Sequence, residues 1–230
     1  MSAPSSTGLQ RLLDALRAAF EGATADDRAS RALVDEIFAS LGRPREVRPR
    51  ESARLPACRH LEPALARAGE WAQGAAFVRA FATLSPALAW YRRIGSEAHG
   101  EAFHDGHANA FLVGPGGLED LAGAAVGVSL LAPHVRYPDH RHPPEELYLV
   151  LSPGFWRRGA SDWFEPGVGG LVHNPPDVVH AMRADAEPLL AVWCLLERDV
   201  GRHEGSNDIR QGPRSSADSA RARRTAARSG

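Results

Sequence analysis

Apolar residues recur at helical spacing through the first third of the chain and at strand spacing through most of the rest. Leu9, Leu12, Leu13, Leu16 and Phe20 share one helical face, with Ser6 or Thr7 placed to cap it. A second helix is expected over about 27–41, with Leu33, Val34, Ile37, Phe38 and Leu41 on one face and Gly42 and Pro44 to stop it. After a charged connector at 43–56, a third helix is expected over 60–83, carrying Leu61, Leu65, Trp71, Phe77 and Phe81. Ser85-Pro86 then opens a short helix holding Leu88, Trp90 and Tyr91. Ordinary burial assigns these aromatics to core packing; the alternative is that one of them lines the mouth of a barrel.

The period changes after Ile94. Strand-like runs fall at 107–113, 123–132, 134–141, 146–152, 155–158, 169–173, 178–183 and 188–196, separated by glycine and proline turns. That rhythm predicts a mainly β fold, a small antiparallel barrel or jelly roll. The expected division is a helical region at 1–98, a β-barrel domain at 99–200 and a polar, disordered tail at 201–230. The apolar faces of the first two helices need a partner, either the barrel or a second subunit, which leaves a homodimer open.

Composition narrows the function classes. A formal charge of −1 over 230 residues argues against a nucleic-acid-binding protein. No apolar run approaches a membrane span, and the N-terminus lacks the apolar stretch of a secretory signal, so a cytoplasmic location is expected. Cys58 and Cys194 are too few and too far apart for a disulfide framework; Cys194, in LLAVWCLLE, reads as a buried core thiol. All 27 basic residues are arginines, which excludes a lysine base or Schiff base. An arginine cluster near the C-terminus reads as part of a solvated tail.

Chemistry concentrates between Tyr137 and Gly154. His140 and His142 are two apart, so in a strand their imidazoles point the same way. Pro143-Pro144 forces a turn, and Glu146 returns on the next strand with Tyr148 on its face. His180 supplies a third imidazole after a glycine- and proline-rich turn. Burying such a set without a metal would cost several kcal/mol of desolvation. Three imidazoles and a carboxylate suit one divalent transition metal: zinc, iron, manganese, cobalt or nickel. His134 and His173 lie close enough in sequence to support these ligands from behind.

This spacing resembles the two motifs of the cupin superfamily, which place two histidines and a glutamate in the first motif and a histidine in the second. The string Y-x-x-H-x-H-P-x-E-E-x-Y, from Tyr137 to Tyr148, resembles one cupin family more closely. That family is the bacterial dimethylsulfoniopropionate (DMSP) lyases of the DddL, DddQ and DddW kind; chain length and the helical N-terminus are most like DddL. The resemblance is specific over about 123–197. It implies a cupin barrel, a metal held by His140, His142, Glu146 and His180, and β-elimination of DMSP to dimethyl sulfide and acrylate. Tyr148 is the first choice of base and Tyr137 the second. The sulfonium calls for aromatic faces, with Trp156, Trp163, Trp193 and Phe155 as candidates, although the apolar flanks of Trp193 point to the core. One departure is in the second motif, where Asp177-Val178-Val179 replaces the usual cupin glycine. The alternatives are a cupin dioxygenase or isomerase acting on another small carboxylate, and a ligand-sensing cupin without turnover.

Overall fold

The computed structural model describes residues 4–24, 27–44, 47–48 and 51–197, so the tail expected at 201–230 lies outside the described residues. Helix α1 (Ser6–Ala23) is capped by Ser5, one residue earlier than expected, whose Oγ accepts from Gly8 N. Helix α2 (Arg28–Leu41) starts where Asp27 accepts from the backbone of Ala29 and Ser30, and it ends at Gly42 with φ of 59°. The long third helix is two: α3 (Leu61–Gly69) and α4 (Ala75–Leu84). Bonds from Glu70 N to Arg67 O and from Trp71 N to Ala68 O tighten the end of α3. The Trp71 ring then lies on Gly74, where a Cβ would come within 2.2 Å of it. That close approach holds the break.

Ser85-Pro86 opens only a single 3-10 turn, Ser85–Ala87. The following residues extend instead, because backbone partners are at hand. Trp90 N donates to Ala53 O at 3.0 Å, and Tyr91 N to Asn109 O at 2.8 Å. A short helix α5 (Glu101–Gly106) leads into the strands. These are β1 (His107–Val113), β2 (Ala124–Leu131), β3 (Arg136–His140), β4 (Glu145–Val150), β5 (Phe155–Arg158), β6 (Leu171–Asn174), β7 (His180–Arg183) and β8 (Leu189–Leu196). They form two antiparallel sheets, in the orders β1-β2-β8-β4-β6 and β3-β7-β5. The chain is a mainly β antiparallel barrel with helices at its N-terminus, the fold that the resemblance to cupins implies.

The five-stranded sheet is buried on both faces, so its strands read as near-continuous apolar runs. Alternation still sorts the side chains. Leu190, Val192, Cys194 and Leu196 of β8 join Leu147 and Leu149 of β4 in one core with α1, α2, α3 and α4. Leu189, Ala191, Trp193 and Leu195 join Tyr148 and Val150 in a second core inside the barrel. The amphipathic helices therefore spend their apolar faces on the barrel of their own chain. Among the described residues, no helix is long and apolar enough to cross a membrane.

His107, fully buried at the start of β1, ties the connector after Tyr91 to the barrel. Its Nδ1 meets Phe103 O at 2.5 Å and its Nε2 accepts from Arg93 N at 2.9 Å. Burial lowers its pKa to about 4. The neutral ring thus favours the folded state above the unfolded value of about 6.5, and that contribution is lost as pH falls towards 4. Unfolding stability should fall between pH 7 and 4.5 by an amount of the order of 2–3 kcal/mol on this account. His107→Gln should flatten that slope in denaturant titrations; an unchanged slope would assign the acid sensitivity elsewhere.

Candidate metal centre and substrate cavity

The Tyr-x-x-His spacing poses a problem for a regular strand, since residues three apart face opposite ways. A bulge solves it. Tyr137 pairs with Met182 and His140 with His180, so β3 spends three steps where β7 spends two. The bulge falls at Pro138, which has no N–H to lose. Tyr137 and His140 consequently face the same cavity, with ring centroids 4.7 Å apart.

His140 and His180 sit opposite each other across β3 and β7, with ring centroids 4.0 Å apart. His142 follows on the link to β4, its centroid 5.1 Å from that of His180. One ligand atom from each ring lies within 4.8 Å of the other two. Each Nδ1 meets a backbone carbonyl two residues away: His140 to Pro138 O at 2.9 Å, His142 to Pro144 O at 3.0 Å, and His180 to Val178 O at 2.9 Å. A carbonyl only accepts, so each Nδ1 carries the proton and each neutral Nε2 keeps its lone pair for the centre. Glu146 Oε2 closes the group, 3.4 Å from His142 Nε2 and 3.1 Å from His180 Nε2.

His180 Nε2 is buried and makes no hydrogen bond, although that carboxylate oxygen is within reach. A lone pair facing a carboxylate is an unfavourable contact that a cation between them would reverse. The donor set therefore fits a divalent transition metal. Burial alone would raise the Glu146 carboxyl; positive charge on the His142 and His180 rings would outweigh it and hold the group well below the usual carboxylate range, an effect that a cation between the neutral rings would equally have. Burial, with the neighbouring His180, lowers His140 to about 3.

Asp177 occupies the turn where the usual cupin glycine is missing. It takes the left-handed conformation itself, with φ of 59°, which a short polar side chain tolerates. Its N–H donates to His142 O at 2.9 Å, so the turn before His180 also anchors His142.

Tyr137, Tyr148 and Trp193 line the same cavity, of about 80 Å³, as His140, His142 and Glu146. Residues 29–191 match the family profile described as dimethylsulfoniopropionate lyase. The chain belongs to this family. Among solved structures it resembles one of those described for the DMSP lyases RdDddP and RnDddQII, at 23% identity and a TM-score of 0.65, covering 86% of this chain and 97% of that one. It also resembles DMSP lyase DddQ from Ruegeria pomeroyi DSS-3, at 22% identity and a TM-score of 0.60, covering 86% and 95%. No curated protein sequence matches.

Of the four aromatic residues proposed for a sulfonium pocket, only Trp193 lines the cavity of this DMSP lyase family member. It is opposite Gly127 in the register of β8 and β2, and a Cβ there would come within 2.1 Å of the indole. The missing side chain lets the ring lie over the sheet. Trp156 sits in the inner core behind Tyr148, with ring centroids 6.4 Å apart. Trp163 lies outside the cavity lining, with the guanidinium groups of Arg136, Arg157 and Arg183 over it at 5.2–5.5 Å. Phe155 lies under Arg183 at 4.6 Å. Phe155 faces the outer side of the small sheet, because it neighbours the inward-packed Trp156 on β5 and successive strand residues face opposite ways.

Sequence reasoning missed Arg93, Asn109, Phe111 and Ser129, which line the cavity together with Tyr91, one of the aromatics for which the mouth of a barrel was the alternative to core packing. The available signal was the alternation from Leu88 to Arg93, with Leu88 and Trp90 buried in the helix-facing core, a strand period where a helix was expected. His173 pairs with Glu145 at 2.8 Å and does not touch the metal-binding group directly. His134 takes a turn position, with φ of 62°.

The residue that supports Glu146 is Asn174. It is buried opposite Glu146 on β6 and donates Nδ2 to Glu146 Oε2 at 2.9 Å. Partners of this kind typically command 10- to 100-fold in metal affinity. Asn174→Ala should weaken zinc binding by roughly 10-fold or more in competition with a chromophoric chelator. Unchanged affinity would make Asn174 a packing residue only.

Proposed function

We propose that this protein is a metal-dependent carbon–sulfur lyase that cleaves DMSP to dimethyl sulfide and acrylate. The observation that carries the reading is the placing of two tyrosines and an aromatic wall around the three-histidine group, in a chain of the DMSP lyase family. His140, His142, Glu146 and His180 would hold the metal. When bound, a divalent ion would supply Lewis acidity towards the substrate carboxylate and a positive charge that favours a nearby phenolate.

Tyr148 is the assigned base and Tyr137 the second choice. Burial pushes the Tyr137 phenol up to about 12, partly offset by Arg93, and burial with the Glu146 carboxylate pushes Tyr148 well above its ordinary value. The base form of either therefore needs positive charge close by. The phenolate of Tyr148 takes the proton from the carbon next to the carboxylate. That electron pair forms the new double bond, the carbon–sulfur bond breaks, and dimethyl sulfide leaves with its electrons. For the sulfonium, Trp193 and Phe111 meet edge-on at 5.0 Å and Tyr91 stacks on Phe111 at 5.5 Å. Aromatic faces attract a cation without a counter-ion to trap it. The long helical N-terminal region favours the DddL branch.

Proton NMR of metal-loaded protein with DMSP tests the reaction class. Acrylate and dimethyl sulfide should appear in equal amounts without oxygen. Oxygen uptake would favour a dioxygenase, and saturable binding without turnover a sensor.

A further inference from the structure

The N-terminal region contributes a charged group to the cavity. Tyr91 is bridged to Asn109 in both directions, and Arg93 N donates to His107, so residues 91–93 are pinned against β1 in extended form. Residues two apart then face one way, and Tyr91 and Arg93 both line the cavity. Arg92 faces the other way and is satisfied there, by Asp105 Oδ1 at 2.7 Å and His104 O at 2.7 Å.

Arg93 has no such partners. Among the described residues, no ion pair joins it to a carboxylate, and its Nη1 is buried without a hydrogen bond. Its guanidinium lies over the Tyr137 ring at 5.9 Å. A guanidinium cannot shed its charge, and leaving a buried N–H unmade is costly. The missing partner is an acceptor, and the planar fork matches a carboxylate.

We propose that Arg93 is a specificity-determining residue that recognises the carboxylate of the cavity's ligand. The identity of that ligand as DMSP rests on the lyase reading; the recognition of a carboxylate does not. Arg93 binds one edge of the carboxylate, while the sulfonium end of a zwitterion is left to the aromatic wall. A half-buried arginine that served only to cover Tyr137 would affect stability and not ligand choice.

The test is saturation-transfer NMR on zinc-loaded full-length protein, with propionate as probe and propionamide as its uncharged counterpart. Zinc content and melting temperature are measured alongside. Propionate should bind the wild type and bind Arg93→Gln about 10-fold or more weakly, as expected for loss of a charge-assisted hydrogen bond. Arg93→Lys should fall between, and propionamide should be indifferent to the substitution. If DMSP is turned over, Arg93→Gln should raise KM more than it lowers kcat. Equal propionate affinity in wild type and Arg93→Gln, or no binding to the wild type, overturns the inference. Arg93-dependent propionate binding without any dimethyl sulfide would leave it standing and remove the lyase reading.

Discussion

Tyr148→Phe is expected to keep its metal and its fold while losing at least about 100-fold in turnover, the lower range of general acid–base contributions. Tyr148 is only 3% exposed, and its ring packs in the inner core with Val150 and Trp156. Phenylalanine preserves that packing and removes one oxygen. The side chain stands two residues beyond Glu146 on β4 and opposite Trp193 on β8. It therefore lies between the carboxylate of the metal-binding group and the wall assigned to the sulfonium, where the proton must leave. Tyr137→Phe should cost less on this assignment. The check is kcat with zinc content measured on the same samples. A Tyr148→Phe rate within about threefold of wild type, with metal bound, would move the base away from Tyr148.

His180→Ala is expected to lower zinc affinity by more than the roughly 10- to 100-fold that supporting partners command, and to abolish activity with it. His180 is 3% exposed and its Nε2 is buried without a hydrogen bond. Removing the ring takes away one of the metal's donor atoms, together with the lone pair that faces the Glu146 carboxylate. The variant should therefore gain less in melting temperature on zinc addition than the wild type, since a ligand stabilises the fold in proportion to its occupancy of the site. Zinc per chain after gel filtration, and a melting curve with chelator, are the readings. Full occupancy at unchanged affinity would remove His180 from the metal-binding group.

The site was legible where chemistry is packed into a short stretch of chain. His140, His142 and Glu146 lie within seven residues, so local geometry limits where they can point. His180 was reachable because prolines and a turn bracket it. The bulge at Pro138 was not legible, since the Tyr-x-x-His spacing only faces one way once β7 supplies a shorter partner. Tyr91 and Arg93 were hidden for a similar reason. Their extended form depends on Ala53 and Asn109, which are distant in sequence, and a local helix signal at Ser85-Pro86 pointed the other way. Which of the candidate aromatics reaches the cavity depends on strand phase. Trp193 lines the cavity because Gly127 stands opposite it, and no property of AVWCLL itself reveals that. The fold class came through because strand rhythm repeats eight times, whereas the break at Trp71 rests on one ring held against two glycines, Gly74 and the sequence-distant Gly169.

Lyase activity is expected to depend on metal held by His140, His142, Glu146 and His180. Headspace gas chromatography tests it most directly, with DMSP supplied to metal-stripped protein as zinc, iron or manganese is added back in measured equivalents. No dimethyl sulfide is expected at zero metal, with a rise that levels at one ion per chain. Dimethyl sulfide released equally by the stripped protein would contradict it, as would none at full occupancy.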